Sequence, residues 1–209
     1  ISNISVHIFK NFIESELKKS QINSKVDIAN FDNLIQESVN YKNYDVVIVF
    51  FELLNLFDYD KNKSKKTLSR NILKRLRQDL KLCFKILKNT PLVLVNKFSN
   101  QITNEFHDIR EQKKIVSKIN NQMENLTGKN FHFIDISIIL EKVGTKNSIN
   151  KNNFINSKTL YTSKFMHEYA KLVKPSIMSL CGKQKKAIIL DCDNTLWGGI
   201  LGEDKKNIH

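Results

Sequence analysis

The chain has 209 residues, of which 41% are apolar, and its mean hydropathy is −0.36, values that are typical of a globular protein. No apolar run is long enough to cross a bilayer. The 34 Lys and Arg residues against 21 Asp and Glu give a net charge of +13.

Nearly all of the positive charge is lysine, and arginine occurs only at positions 70, 75, 77 and 110. Nucleic-acid binders usually cluster arginine with aromatic residues or carry a known module, so nucleic acid is not an expected partner. The simplest explanation of this lysine-rich charge is a general bias of the sequence toward Lys, Asn and Ile. The functional alternative is a basic face that steers an acidic partner.

The three cysteines, Cys83, Cys181 and Cys192, lack metal-ligand spacing and lie within apolar patterns. Free thiols of this kind suit a reducing compartment, so a cytoplasmic location is expected.

The first part of the chain predicts alternating strands and helices. Residues 1–3 read as the end of a first strand, and apolar residues at helical spacing follow. A short strand over 25–31 and a short helix over 31–39 come next. Residues 44–51 are a continuous β-branched and aromatic run, typical of a central parallel strand covered on both faces.

The middle of the chain predicts a charged loop over 58–66 and then the clearest helical pattern, over 68–87. Pro91 marks a turn before a buried strand over 92–95. A second long helix is predicted over 106–126, and Gly128 follows its end.

The remaining elements include one more strand, over 131–136, and a short helix over 138–143 that Gly144 ends. The polar, Asn-rich residues 145–158 are predicted to form a surface loop. A last helix is predicted over 165–177, which Pro175 should kink or interrupt. The alternation of strands and helices predicts a three-layer α/β domain with a mainly parallel sheet and right-handed crossovers.

A different pattern begins after the short apolar strand predicted at 187–190. Asp191 and Asp193 follow it, two residues apart, so an extended backbone places both carboxylates on one side. Two neighbouring carboxylates repel each other unless a cation or a shared proton lies between them, and Mg²⁺ prefers such oxygen ligands. Cys192 should point the opposite way, into the core.

The sequence Asp-x-Asp-Asn-Thr-Leu-Trp-Gly-Gly-x-x-Gly-Glu-Asp from Asp191 resembles the first motif of the haloacid dehalogenase-like (HAD) phosphotransferase superfamily, and in particular its FkbH-like branch. This resemblance implies a Mg²⁺-dependent phosphotransferase or phosphatase. It also implies a phosphorylated three-carbon acyl donor and loading of an acyl carrier protein, in polyketide or surface-carbohydrate biosynthesis.

The resemblance also implies roles for single residues. Asp191 would be the nucleophile that forms an aspartyl-phosphate, and Asp193 the general acid and base; both would hold Mg²⁺. The loop around substrate and phosphate would comprise Asn194, Thr195, Trp197, Gly198 and Gly199. Trp197 would either anchor the glycine turn by packing or form a wall of the substrate site.

The region ahead of the motif in FkbH-like proteins resembles the flavodoxin-like SGNH hydrolase fold. The expected organisation is therefore an SGNH-like domain over 1–182, with its first strand truncated, and the beginning of a HAD-like domain over 183–209. The chain is expected to be a fragment, because further phosphate-binding and metal-binding residues of that fold are not found in it.

A serine-hydrolase site in the first domain would use residues at strand ends, and the candidates there are Ser2, Asn3 and Asn96. The Gly-x-Asn-Asp sequence of such a site is missing after the central strand. An Asp-x-x-His sequence is missing as well, because the residue three before His167 is Lys164. A non-catalytic domain that binds a substrate or an acidic carrier protein is therefore the favoured interpretation, and an esterase the alternative.

Overall fold

The computed structural model describes residues 1–56, 70–104, 110–126, 128–184, 191–192 and 194–196. These residues form an α/β structure around a parallel sheet of β1 (Val46–Val49), β2 (Leu92–Asn96) and β3 (Phe131–Ile134), in that order. Val46 is in register with Leu92, and Val93 with Phe131. The predicted α/β class with a parallel sheet is confirmed.

The helices of the described segments alternate with these strands. They are α1 (Phe9–Lys18), α2 (Leu34–Tyr41), α3 (Arg70–Ile86), α4 (Asn100–Asn104), α5 (Arg110–Glu124), α6 (Ser137–Val143), α7 (Thr145–Ser148), α8 (Lys151–Ser157) and α9 (Ser163–Leu180). Short 3-10 turns follow β1, at Leu53–Leu56, and α3, at Leu87–Asn89.

The sheet continues for two residues beyond β1. Ser2 pairs in parallel with Phe50, and the N–H of Phe50 donates to the carbonyl oxygen of Ile1 at 2.8 Å. Ile1 and Ser2 thus lie on the edge of β1 that β2 does not use. This pairing agrees with the predicted strand end at 1–3.

Helices lie on both faces of the sheet. The crossovers through α3 and α5 run in the same direction, so right-handed connections place both helices on one face, where they touch each other. On the other face, α1 packs against α9, which contacts β2 and β3. The ring of Phe50 meets the ring of Tyr169 there, with 4.9 Å between centroids.

The predicted strand over 25–31 is wrong. Its backbone N–H groups bond to side chains instead of to a neighbouring strand: Val26 donates to Glu14 Oε1 at 3.0 Å and Asn30 to Glu37 Oε2 at 3.3 Å. Residues 22–29 and 43–46 line the same groove, so an open space separates this segment from the edge of β1.

The predicted surface loop over 145–158 is also wrong, because α7 and α8 occupy it. Asn150 caps α8 by accepting the N–H of Asn153 at 2.9 Å, and Lys158 ends it in the left-handed conformation with φ 57°. Phe154 is 1% exposed and anchors the helix in the core. Two buried apolar residues, Ile149 and Phe154, and two favourable helix ends were not evident among the polar residues of this segment.

Pro175 does not interrupt α9, which runs to Leu180. A proline inside a helix leaves the carbonyl four residues earlier without its helical donor. Pro175 lies on the exposed side of α9, where water can bond that carbonyl, so the helix continues.

Other predictions agree with the described structure more closely. The helices predicted over 68–87, 106–126 and 138–143 correspond to α3, α5 and α6, and Gly144 ends α6 with φ 83°. The strand predicted at 187–190 and the loop predicted at 58–66 lie outside the described residues. Within the residues that are described, no helix combines the length and the apolar character needed to cross a membrane.

Candidate active site

The acidic motif begins in a tight turn. Asp191 is exposed, and its Oδ1 accepts the N–H of Cys192 at 2.8 Å. The carbonyl oxygen of Cys192 accepts the N–H of Leu196 at 3.0 Å and that of Thr195 at 3.3 Å. Asn194 has φ 53°, a left-handed conformation that asparagine tolerates better than most residues. The turn therefore presents the Asp191 carboxylate to solvent.

Of the predicted motif residues, Asp191, Asn194 and Thr195 lie together in this turn. Asp193, Trp197, Gly198 and Gly199 lie outside the described residues. Cys192 is exposed, which corrects the expectation that it packs in the core. The reason is local: the chain turns directly after Asp191, so strand alternation does not govern the direction of the next side chain.

The predicted cleft residues Ser2, Asn3 and Asn96 are all buried at the carboxyl end of the sheet. Ser2 is 4% exposed, and its Oγ accepts the N–H of Ile4 at 3.1 Å. Its carbonyl oxygen accepts the N–H of Asp32 at 3.0 Å. Both groups thus serve the backbone where the chain leaves the sheet.

Asn3 and Asn96 hold two consecutive residues from opposite sides. Asn96 accepts the N–H of Phe51 at 2.6 Å and donates to the Phe51 carbonyl at 2.8 Å. Asn3 accepts the N–H of Glu52 at 2.7 Å and donates to the Glu52 carbonyl at 2.7 Å. Each side-chain amide thereby replaces a neighbouring strand where β1 has ended. We call this pair the asparagine clamps.

Glu52 is a buried carboxylic acid that sequence reasoning missed. It is 1% exposed, its Oε2 accepts the hydroxyl of Tyr161 at 2.7 Å, and Oε1 accepts the N–H of Leu54 at 3.4 Å. Burial raises the pKa of Glu52 from 4.5 to about 7, although these hydrogen bonds favour the charged form. The sequence feature that could have indicated it is a single carboxylate within the apolar run Phe-Phe-Glu-Leu-Leu, because the neighbours of such a residue are expected in the core.

Tyr161 reaches Glu52 because the chain is fixed on both sides of it. Ile149 and Tyr161 form an antiparallel bridge, and Thr162 caps α9 by accepting the N–H of Phe165 at 3.4 Å. The Tyr161 ring stacks on Phe165 with 4.0 Å between centroids. The Glu52–Tyr161 pair therefore joins the end of β1 to the start of α9.

These contacts do not make a serine-hydrolase dyad. No described histidine or carboxylate hydrogen-bonds to Ser2 Oγ. His167 lies elsewhere, with Nε2 3.5 Å from Glu16 Oε1 and its ring 5.3 Å from that of Phe12. A serine without an adjacent base is a weak nucleophile.

A polar cleft of about 400 Å³ opens beyond the carboxyl ends of β2 and β3. An ion pair between Lys97 Nζ and Glu124 Oε1, 2.5 Å apart, lies at its side, and Asp135 Oδ1 accepts the N–H of Ser137 at 2.9 Å. The described residues contain no group of three or more His, Cys, Asp or Glu side chains placed to hold a metal ion. The cleft's polar groups therefore serve mainly the local backbone and each other.

The fold has a counterpart among solved structures. The chain is similar to the N-terminal part of the protein BF1531 from Bacteroides fragilis, described as containing a phosphatase domain and complexed with Mg. The TM-score is 0.63 at 18% sequence identity, and the match covers 99% of this chain and 58% of the other. No protein-family model and no curated protein sequence matches the chain. The likeness to the Bacteroides fragilis protein shows that the two chains share a fold.

Proposed function

We propose that this chain belongs to a Mg²⁺-dependent phosphotransferase or phosphatase of the HAD-like type, in which Asp191 is the nucleophile. The observation that carries the proposal is the exposed Asp191 carboxylate at the start of a tight turn within the Asp-x-Asp-Asn-Thr-Leu-Trp-Gly-Gly motif. The shared fold with a chain described as containing a phosphatase domain with Mg supports it.

The proposed chemistry follows from two carboxylates on one substrate. A carboxylate oxygen of Asp191 attacks phosphorus as the bond between phosphorus and the leaving oxygen breaks. Asp193 gives its proton to that leaving oxygen and then takes a proton from the group that attacks the aspartyl-phosphate. Hydrolysis by water gives a phosphatase, whereas attack by another acceptor gives a phosphotransferase.

Mg²⁺ fits this donor set, because an exposed carboxylate offers hard oxygen ligands. Asp191 and Asp193 would hold the ion. When bound, it would neutralise the charge on the transferring phosphoryl group. Asn194 and Thr195 stand in the same turn and, with Trp197, Gly198 and Gly199, make up the proposed loop around the phosphate.

The finer proposal concerns substrate and partner. In an FkbH-like enzyme the donor would be a phosphorylated three-carbon acid and the acceptor an acyl carrier protein. The SGNH-like region over 1–182 would bind that carrier, and the catalytic domain would begin at 183. The net charge of +13 supports an acidic partner such as a carrier protein, since opposite charges steer association.

The test is mutation of the proposed nucleophile in the longest natural polypeptide that contains this chain. Asp191→Asn keeps the Oδ1 that accepts the Cys192 N–H, so the turn should persist while nucleophilic attack is lost. We expect phosphate release with Mg²⁺ to fall by about a thousandfold or more. Asp79→Asn is the matched control, because Asp79 lies on the surface of α3, where it forms an ion pair with Arg75 at 3.9 Å.

A second measurement distinguishes carrier loading from phosphatase activity. It is the intact mass of an acyl carrier protein after incubation with the enzyme, Mg²⁺ and a phosphorylated three-carbon donor. A glyceryl adduct that depends on Asp191 supports carrier loading. Phosphate release without an adduct supports a phosphatase. Unchanged turnover in Asp191→Asn would contradict the proposed nucleophile.

A non-catalytic binding module is the second candidate, and the same excess of lysine favours it. It predicts that residues 1–182 capture an acidic carrier protein without turnover. An esterase is less well supported, because Ser2 is buried and bonded to the backbone. Loss of ester hydrolysis in Ser2→Ala, with Asp191→Asn unaffected, would favour it.

A further inference from the structure

The outer face of α3 carries a row of basic side chains. Lys74, Lys81 and Lys85 are exposed, and at about 100° per residue they project within about 40° of one another. Leu76 and Leu80, which are buried, lie on the opposite side of the helix. From the first of these lysines to the last, the helix advances about 17 Å. We call the three side chains the lysine stripe.

The charge of the lysine stripe is not balanced within α3. Residues 74–85 contain five cations and one carboxylate, Asp79, which pairs with a neighbouring arginine at 3.9 Å. Within the described segments, no ion pair joins a lysine of the stripe to a carboxylate. Arg77, Lys81 and Lys85 follow one another at spacings of four residues, where like charges destabilise a helix. An anionic partner would relieve this repulsion.

Lysines on the opposite face of the sheet do have acidic neighbours. Glu168 of α9 pairs with Lys142 at 2.6 Å and with Lys171 at 2.8 Å, and Glu16 of α1 pairs with Lys174 at 3.4 Å. A general bias of composition adds lysine to both faces. It does not explain why the described carboxylates pair with these lysines and leave the lysine stripe unpaired.

Exposed apolar side chains accompany the lysine stripe. Leu82 of α3 is 45% exposed, and Val39 of α2 is 44% exposed. The two helices pack together, and the hydroxyl of Ser38 donates to the sulfur of Cys83 at 3.1 Å. Val39 and Leu82 are the chain neighbours of that pair. A surface with both cationic and apolar parts suits an amphipathic helix that carries carboxylates.

We propose that this face of α2 and α3 is the docking surface for the acyl carrier protein, which presents an acidic, amphipathic helix to it. Carboxylates of that helix lie along the lysine stripe, and its apolar residues cover Leu82 and Val39. Between positions 74 and 85 the one aromatic residue, Phe84, is buried, so the stripe lacks the stacking platform of a single-strand nucleic-acid site. This inference rests on the carrier-loading form of the proposed function.

The test is calorimetric titration of an acyl carrier protein into the longest natural polypeptide that contains this chain. Lys74→Glu/Lys81→Glu reverses two charges of the stripe. The matched control, Lys146→Glu/Lys164→Glu, makes the same change of net charge at exposed positions of α7 and α9. We expect the stripe variant to bind the carrier about tenfold more weakly or worse at about 0.1 M salt, and the control to change by less than about threefold.

Two further measurements separate docking from folding and from charge. The stripe variant should unfold at no lower urea concentration than the parent, because Lys81→Glu places a carboxylate four residues from both Arg77 and Lys85. Leu82→Ala should weaken carrier binding about threefold or more without changing its salt dependence, since the substitution removes an apolar contact and no charge.

Equal weakening by the stripe variant and its control would overturn the proposal, because net charge alone would then explain the attraction. Unchanged binding in the stripe variant would overturn it too, and so would equally tight, stripe-dependent binding of single-stranded RNA. A parent that releases phosphate through Asp191 but does not bind the carrier would contradict the docking surface and leave the proposed nucleophile standing. Stripe-dependent carrier binding without such phosphate release would contradict the enzymatic proposal and support the docking surface.

Discussion

Glu52 links the protonation of one residue to the stability of the whole fold. Its carboxyl group lies within the core at the end of β1 and is bonded by Tyr161. The folded-state pKa of about 7 stands above the ordinary value of 4.5, so the folded protein holds the proton more tightly than the unfolded chain. Its contribution to stability is therefore complete below about pH 4.5 and is lost as the pH rises through about 7.

We expect Glu52→Gln to remove this part of the pH dependence. The raised pKa corresponds to a loss on the order of 3 kcal/mol of unfolding free energy between the two protonation limits. Glutamine keeps an oxygen that can accept from Tyr161 and carries no charge. Urea unfolding at about pH 5 and about pH 8 should show a smaller decline for the variant than for the parent.

Glu168, whose pKa its hydrogen bonds with Lys142 and Lys171 lower to about 2, affects only more acidic solutions. Identical pH profiles for the two proteins would contradict the assignment to Glu52.

The asparagine clamps make a second prediction at single residues. Asn96→Ala leaves the N–H and carbonyl of Phe51 without partners in the core, and each unmet buried group costs about 1–3 kcal/mol. We expect the unfolding free energy, measured with urea, to fall by about 2–4 kcal/mol. Asn152→Ala is the control, since Asn152 is exposed on α8 and its loss should change little. An equal effect of both substitutions would contradict a clamping role.

Whole elements were predictable where apolar spacing was strong. The run over 92–95 gave β2, whose five residues are all buried, and the spacing over 68–87 gave α3. The helices over 145–158 were missed because only two apolar residues, Ile149 and Phe154, are buried there, too few to show a helical period. The start of α8 is also marked by its cap residue, Asn150. A pattern of apolar and polar residues alone does not reveal such a cap.

The buried position of Phe154 is testable by comparison with its neighbour in α8. Phe154→Ala should destabilise the fold by about 3–5 kcal/mol, because it removes a fully buried aromatic ring. Ile155→Ala is the matched control, since Ile155 is 53% exposed and should cost little. Thermal or urea unfolding of both variants gives the measurement. A larger destabilisation by Ile155→Ala than by Phe154→Ala would contradict the orientation of α8 in which Phe154 faces the core.

In the candidate site, too, some features were predictable from the sequence and others were not. The motif from Asp191 could be recognised in the sequence, because the two aspartates proposed as nucleophile and general acid lie two residues apart. The Glu52–Tyr161 pair could not, since 109 positions separate its members and only the folded chain joins them. Ser2, Asn3 and Asn96 do lie at strand ends, as predicted, yet their positions in the sequence do not show whether they support the backbone or line a cleft.

The charge of the whole molecule carries the last prediction. If the lysine excess steers an acidic carrier protein, affinity should fall steeply with salt, because screening shortens the range of attraction to about 8 Å at physiological ionic strength. Binding measured by calorimetry between about 0.05 and 0.5 M salt tests this. An acidic protein of similar size that is not a carrier is the control, and equal binding of both would show attraction without recognition.

The asparagine clamps have one more consequence, for strand register. Val46, Val47, Ile48 and Val49 are all apolar, so a slip of β1 by one residue would exchange one apolar side chain for another on each face. Burial alone then discriminates poorly between registers. The clamps do discriminate, since a slip would present different backbone groups to Asn3 and Asn96 and misplace four hydrogen bonds at once. Two polar side chains thus settle an alignment that the apolar strand leaves open.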